Sequence, residues 1–181
     1  VYEPVDAAKI PTGADGKKVG VFMLHGGSGD HRSMDRFARF LATKFGWDKG
    51  PSGHWYDPKF MRERAERSLR NMRTDVIDLH YFHHCDFGPG DAYFDGAMEE
   101  MLRLREVGKV RFIGVSNFTL PELRAAERAM RRHRIVANQV RYSIIHRSIE
   151  PRLLPYCQAR GMAVIAYSPL GHRFSALAEA D

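Results

Sequence analysis

The sequence has little cysteine and no long apolar run. Only two of its 181 residues are cysteines, Cys85 and Cys157. Two thiols do not make a disulfide framework and show no zinc-binding spacing, so we expect a reducing, cytoplasmic setting. No apolar stretch approaches the roughly 18 residues of a membrane span. The first residues also lack the charged and apolar regions of a signal peptide, so we expect no membrane partner.

A basic stripe interleaved with aromatic residues is also missing. The formal net charge is +6, and a basic balance can indicate nucleic acid, a membrane surface or an anionic cofactor. We interpret most of the arginines as solvated faces of two predicted helices and expect no nucleic-acid partner. These arginines are Arg62, Arg64, Arg67, Arg70, Arg124, Arg128, Arg131 and Arg132.

Predicted strands alternate with predicted helices along the chain. The hydrophobic content of 44% suits one domain with a real core. Asp57-Pro58 combines a capping side chain with proline at the first helical position, and Thr119 with Glu122 fits a capping box. The alternation predicts right-handed parallel crossovers, which fit a doubly wound sheet and a barrel equally. The strands are predicted at residues 19–24, 76–82, 110–115, 135–140 and 162–167.

Polar side chains stand at or near the carboxyl ends of four of these strands. They are His83-His84, Ser116-Asn117, Asn138-Gln139 and Tyr167-Ser168. In barrels and open α/β sheets, chemistry collects at the carboxyl ends of the strands, so the pattern predicts a site there. Three histidines in five residues could suggest a metal. Strand alternation, however, places His80 and His83 on opposite faces, so we expect no metal ion.

Five ordered segments carry a family resemblance. They are residues 41–46, 75–83, 108–118, 138–140 and 166–171. In this order they resemble the aldo-keto reductases. The resemblance implies a parallel (β/α) barrel of TIM type, and a partial one of about half to five-eighths, since a complete barrel needs about 250 residues. It also implies NADP(H)-dependent reduction of an aldehyde or ketone, with a nicotinamide cofactor and a small carbonyl compound as partners.

The resemblance assigns two catalytic roles. Lys44 would lower the pKa of a catalytic tyrosine, and His83 would orient and polarise the substrate carbonyl. Hydride transfer builds negative charge on the carbonyl oxygen, so a hydrogen-bond donor and a nearby positive charge suit the reaction.

The resemblance also assigns the cofactor contacts. Ser116, Asn117 and Gln139 would hold the nicotinamide carboxamide. Tyr167 would stack on the nicotinamide ring, and the Ser168-Pro169-Leu170 turn would touch the pyrophosphate.

Two further catalytic residues of the family, an aspartate and a proton-donating tyrosine, have no counterpart that we can identify. Before Lys44 the only tyrosine is Tyr2, and Tyr56 is the nearest candidate in sequence. The family's last strand and adenosine-phosphate loop should lie beyond Asp181. We therefore expect weak reduction by this chain. A half-barrel has two open sheet edges, which predicts a homo-oligomer.

The first part of the chain has a different resemblance. Residues 19–46 resemble the first strand, oxyanion loop and first helix of an α/β-hydrolase, which divides the chain into residues 1–39 and 40–181. Residues 41–46 thus fit either the end of a helix or a strand ending at Lys44, and we favour the strand. Two alternative functions follow: a non-catalytic hybrid or remnant that self-associates, and a hydrolase-like esterase. The esterase is disfavoured because the Gly-x-Ser-x-Gly nucleophile elbow is missing.

Overall fold

The computed structural model describes residues 21–23, 42–46, 49–51 and 53–169. Two compact units are formed, one by Gly27–Val136 and the other by Val1–Gly26 with Ala137–Asp181. The elements in chain order are β1 (Val21–Met23), β2 (Ala42–Phe45), α1 (Pro58–Met72), β3 (Ile77–Phe82), α2 (Phe94–Glu106), β4 (Val110–Ser116), α3 (Leu120–Ala129), β5 (Ile135–Arg141), α4 (Leu153–Ala159) and β6 (Ala163–Tyr167).

The unit Gly27–Val136 contains a parallel sheet in the order β2, β3, β4. In this register Lys44 pairs with Tyr81, and Tyr81 pairs with Gly114. Because side chains alternate along a strand, these three residues share one face of the sheet, which we call the site face. The next row, with Thr43 and His80, belongs to the opposite face. The predicted strands at residues 76–82 and 110–115 are confirmed, and they are parallel.

Residues 41–46 contain a strand, as we favoured. β2 covers Ala42–Phe45 and is paired with β3 along its whole length. Phe45 is buried, and its ring packs edge-on against His80 with 3.8 Å between ring centroids. The helical spacing that ends at Phe45 is therefore overridden by strand pairing and by burial of this ring. The rest of the segment compared with a hydrolase, apart from β1, lies outside the described residues.

The predicted helix starts are confirmed. The Asp57 carboxylate accepts from the amides of Lys59 and Phe60 at 3.0 and 3.2 Å, with Pro58 at the first helical position. At α3 the Glu122 carboxylate accepts from the Thr119 amide at 2.7 Å. These caps satisfy amides that have no partner within a helix. None of the helices that the structure describes is long and apolar enough to cross a membrane.

The unit formed by Val1–Gly26 with Ala137–Asp181 contains a second group of parallel strands. β6 pairs with both β1 and β5. The strands predicted at residues 19–24, 135–140 and 162–167 are thus present, the first only over Val21–Met23. α4 carries the buried residues Leu153 and Cys157.

Gly114 allows an aromatic ring to lie flat against β4. A Cβ atom at Gly114 would lie 2.5 Å from Cε1 and 2.6 Å from Cδ1 of Tyr81. The Tyr81 ring is itself buried, so it has little room to move away. Glycine at position 114 therefore sets the conformation of Tyr81 on the site face.

We expect Gly114→Ala to destabilise the protein by about 1–3 kcal/mol, the usual cost of overpacking a filled core. Urea unfolding of the wild type, Gly114→Ala, Tyr81→Leu and the double variant measures this. Because leucine lacks the ring atoms that clash, the double variant should be more stable than the sum of the single effects predicts. Additive effects would contradict the packing of Tyr81 on Gly114.

Candidate active site

The carboxyl ends of β2, β3 and β4 bring together four of the predicted site residues. Lys44 lies on β2, His83 follows β3, Ser116 ends β4, and Asn117 comes next. His83 and Ser116 each stand two residues beyond a member of the Lys44–Tyr81–Gly114 row, so both continue the site face. Lys44 is exposed, His83 is half-buried and Ser116 is buried. The strand alternation thus places a cation, an imidazole and a hydroxyl along one edge.

Electrostatics favour a neutral imidazole at His83. Burial lowers the pKa of His83, and the charges of Lys44 and His84 lower it further, whereas a hydrogen bond with the Gly46 main chain acts in the opposite direction. Partial desolvation also lowers the pKa of Lys44, although the residue as a whole is exposed. A neutral imidazole carries one N–H that can be donated to a carbonyl oxygen.

Asn117 joins the ends of β3 and β4. Its backbone is left-handed, with φ of 61°, a conformation that asparagine tolerates better than most residues. Its amide nitrogen donates to the carbonyl oxygen of His83 at 3.3 Å and to Oγ of Ser116 at 3.2 Å. The Cys85 thiol donates to the Asn117 carbonyl oxygen at 3.7 Å. The backbone after His83 is therefore fixed from the β4 side.

The second unit carries the other predicted cofactor residues. Gln139 is buried and pairs with Ile165, while Tyr167 is half-buried and pairs with Arg141. Gln139 and Tyr167 therefore lie on the same face of the β5–β6 pair, two rows apart. Ser168, with φ of 50°, and Pro169 follow β6 as a turn. Leu170 lies outside the described residues.

The model of the aldo/keto reductase family matches residues 29–180, which is most of the chain. The chain belongs to the aldo/keto reductase family. Among solved structures it is similar to aldose reductase from Giardia lamblia, with 25% sequence identity and a TM-score of 0.59. The match covers 73% of this chain and 46% of that chain. This chain therefore spans less than half the length of that solved relative.

Membership of the aldo/keto reductase family decides between the two folds that the alternation allowed. The fold is a parallel α/β arrangement of the TIM (β/α) barrel type, and the chain spans part of such a barrel. The site residues above then lie where barrels of this type carry their chemistry, at the carboxyl ends of the strands. The division of the chain at residue 40 stays a prediction. The hydrolase-like interpretation gains no support, because the family match already includes residues 29–46.

Tyr56, the tyrosine nearest in sequence to Lys44, is not placed as a proton donor. It is fully buried, and its hydroxyl donates to the carbonyl oxygen of His84 at 2.7 Å. The hydroxyl oxygen of Tyr56 in turn accepts from the His84 amide at 3.1 Å. Burial raises the pKa of Tyr56. Its hydroxyl hydrogen is therefore already committed to the main chain.

Tyr81 is a residue that our sequence reasoning missed. We identified no tyrosine placed as the proton donor near Lys44 and His83, yet Tyr81 pairs with Lys44 and stands two residues before His83 on the site face. Strand alternation counted back from His83 could have identified it. Its ring packs on Gly114 of β4 rather than towards β2, and burial raises its pKa. Among the described residues, none hydrogen-bonds its hydroxyl. Its phenol belongs to the site face, two rows before His83.

No group of three His, Cys, Asp or Glu side chains in the part of the chain that the structure describes could hold a metal ion. His80 lies in the row opposite to the site face, where its Nδ1 pairs with the Thr43 carbonyl oxygen at 3.1 Å. The three neighbouring histidines thus do not converge, and the candidate site is one of hydrogen-bond donors and a cation.

Proposed function

We propose that this chain takes part in the NADP(H)-dependent reduction of an aldehyde or ketone. The observation that carries the proposal is the placement of a half-buried His83, with its lowered pKa, beside the charge of Lys44 at the carboxyl ends of paired strands. Family membership adds to this support. His83 donates its N–H to the substrate carbonyl oxygen, and Lys44 stabilises the negative charge that develops there.

In each of the two units, residues at the strand ends suit a part of the nicotinamide group. Ser116 is buried, and its hydroxyl accepts from Asn117 but donates to none of the described residues. That O–H is available to a carbonyl oxygen, which the carboxamide presents. Gln139 offers a buried side-chain amide of the same kind, and Tyr167 a ring for stacking. The cofactor, when bound, supplies the hydride, and these residues orient it. We assign Ser168, Pro169 and Leu170 to the pyrophosphate.

Neither of the two tyrosines considered above is placed to donate a proton to the substrate oxygen. Tyr56 has its hydroxyl committed, and Tyr81 lies below the edge with its ring on Gly114. We therefore propose slow reduction. A non-catalytic, self-associating form of the fold is the second candidate. It is favoured because neither Tyr56 nor Tyr81 is placed as a proton donor, and self-association itself stays a prediction. A hydrolase-like esterase has no observation in its favour.

Cofactor binding tests the proposal directly. We expect NADPH fluorescence to change on titration with the wild type, and Ser116→Ala to weaken the affinity about 2- to 10-fold, the worth of one hydrogen bond. Ser68→Ala on α1 is the matched control and should leave the affinity unchanged. A parallel titration with NADH tests the preference for NADPH. No binding of either cofactor would overturn the proposed function.

A further inference from the structure

One phenol holds the peptide that follows His83. The Tyr56 hydroxyl donates to the His84 carbonyl oxygen at 2.7 Å and accepts from the His84 amide at 3.1 Å. Both polar main-chain groups of His84 are thus satisfied by a single side chain from a loop 28 residues away. Because buried main-chain groups need partners, this hydroxyl cannot be removed without leaving two of them unsatisfied.

Contacts of the loop that carries Tyr56 hold its ring in place. The Tyr56 ring stacks on Phe87 at 4.8 Å between centroids and meets Phe82 edge-on at 5.5 Å. The neighbouring Trp55 indole donates to the Asp86 carbonyl oxygen at 2.9 Å. These contacts restrict the orientation of the Tyr56 ring.

Gly46 lies between Tyr56 and His83, and no side chain would fit at this position. A Cβ atom at Gly46 would lie 2.8 Å from the Tyr56 hydroxyl and 3.2 Å from Cβ of His83, and its φ of 99° also favours glycine. The Gly46 carbonyl oxygen pairs with Nε2 of His84 at 3.0 Å. On the other side, Asn117 holds the His83 carbonyl oxygen. The main chain at His83 is therefore held on one side by Asn117, which follows β4, and on the other by Tyr56 through His84.

We infer that Tyr56 is a positioning residue for His83, holding the imidazole at the edge of the site by fixing the peptide behind it. The inference rests on the proposed function, in which His83 contacts the carbonyl oxygen. It gives this tyrosine a role different from proton donation. An imidazole displaced by even 1 Å would donate poorly to the substrate, and such errors cost about 10²-fold in rate.

The test compares Tyr56→Phe with Tyr93→Phe. Tyr93 is a matched control, because its ring stacks on His54 at 4.1 Å in the same region, while its hydroxyl bonds neither His83 nor His84 among the described residues. We expect kcat of Tyr56→Phe to fall by roughly 10- to 100-fold with a smaller change in KM, and Tyr93→Phe to behave as wild type.

Titration of the His83 ring by NMR is the second readout. Since burial is the main cause that lowers the pKa of His83, a loosened Tyr56→Phe protein should admit water and raise that pKa. A general loss of stability would not change the titration of the folded protein. A folded Tyr56→Phe variant with unchanged His83 titration and kcat would overturn the inference.

These readouts separate the inference from the proposed function. If the wild type shows no reduction, the proposed function fails, while the shift in His83 titration still decides the role of Tyr56. If Tyr56→Phe does not fold, hydrogen exchange of the His84 amide in the wild type decides instead. Strong protection is expected for an amide bonded to a buried phenol, and exchange at the rate of an open chain would overturn the inference.

Discussion

His83→Ala is expected to lower kcat/KM for the reduction of a reactive aldehyde by about 10²- to 10³-fold, the usual cost of losing one donor to a developing oxyanion. The donor is lost while the sheet remains, because His83 follows β3 and is only half-buried. Lys44→Met should have a smaller effect, roughly tenfold, since an exposed charge is partly screened. Steady-state oxidation of NADPH, followed by absorbance, measures both.

Matched controls are available for each change. His146→Ala removes an imidazole from the turn after β5, and Lys59→Met removes a lysine from the first turn of α1. Both controls should keep the wild-type rate. If His83→Ala retained that rate as well, His83 would not contact the carbonyl oxygen, and the proposed function would need another donor.

The wild type itself should be slow. A placed general acid contributes about 10²- to 10⁴-fold, and the hydroxyl of Tyr56 is committed to His84. Turnover in the usual range of about 1–10³ s⁻¹ would show that an acid is present after all. Tyr81→Phe tests for it in that case, since Tyr81 is the described phenol that pairs with Lys44 on the site face.

The strand-end residues and the helix starts could be predicted from the sequence, because each depends on residues only a few positions apart in the chain. Strand alternation and the polar residues at strand ends led to His83, Ser116 and Asn117. The helix starts at Asp57 and Thr119 follow from capping chemistry within three residues of the chain. Such signals need no knowledge of the tertiary fold.

The contacts between distant segments could not be predicted in the same way. Residues 41–46 have both helical spacing and a strand motif, and only the pairing of β2 with β3 decides between them. The bond from Tyr56 to His84 joins a loop to a strand end, and nothing in either segment indicates it. The orientation of the Tyr81 ring depends on the absence of a Cβ at Gly114 across the sheet.

The second large effect is expected at His80, where acid should destabilise the protein. His80 is fully buried behind the site face, and its Nδ1 donates to the Thr43 carbonyl oxygen when the ring is neutral. Its Nε2 has no hydrogen-bond partner among the described residues. Protonation would place a buried charge there with an N–H that nothing accepts. Burial accordingly lowers the pKa of His80 from 6.5 to about 3.

Because the pKa of His80 is lower in the folded state than in the unfolded state, the free energy of unfolding falls as the pH falls. Above the unfolded value of 6.5 the ring is neutral in both states, and the stability is complete. Below it, the unfolded chain takes up the proton first, so stability is lost progressively as the pH falls from 6.5 towards 3. At pH 5 the loss from this residue amounts to about 2 kcal/mol, by linkage between the two pKa values.

Urea unfolding at pH 8 and pH 5 measures this contribution when the wild type is compared with His80→Gln. Glutamine keeps an N–H donor for Thr43 but does not titrate, so its loss of stability on acidification should be about 2 kcal/mol smaller than that of the wild type. Trp55 belongs to the unit Gly27–Val136 that contains His80, so its fluorescence reports the relevant transition. The other histidines are common to both proteins, and their contributions cancel in the comparison. Equal losses in the two proteins would mean that His80 is hydrated in the folded state, and that β2 is not held against β3 by a neutral imidazole.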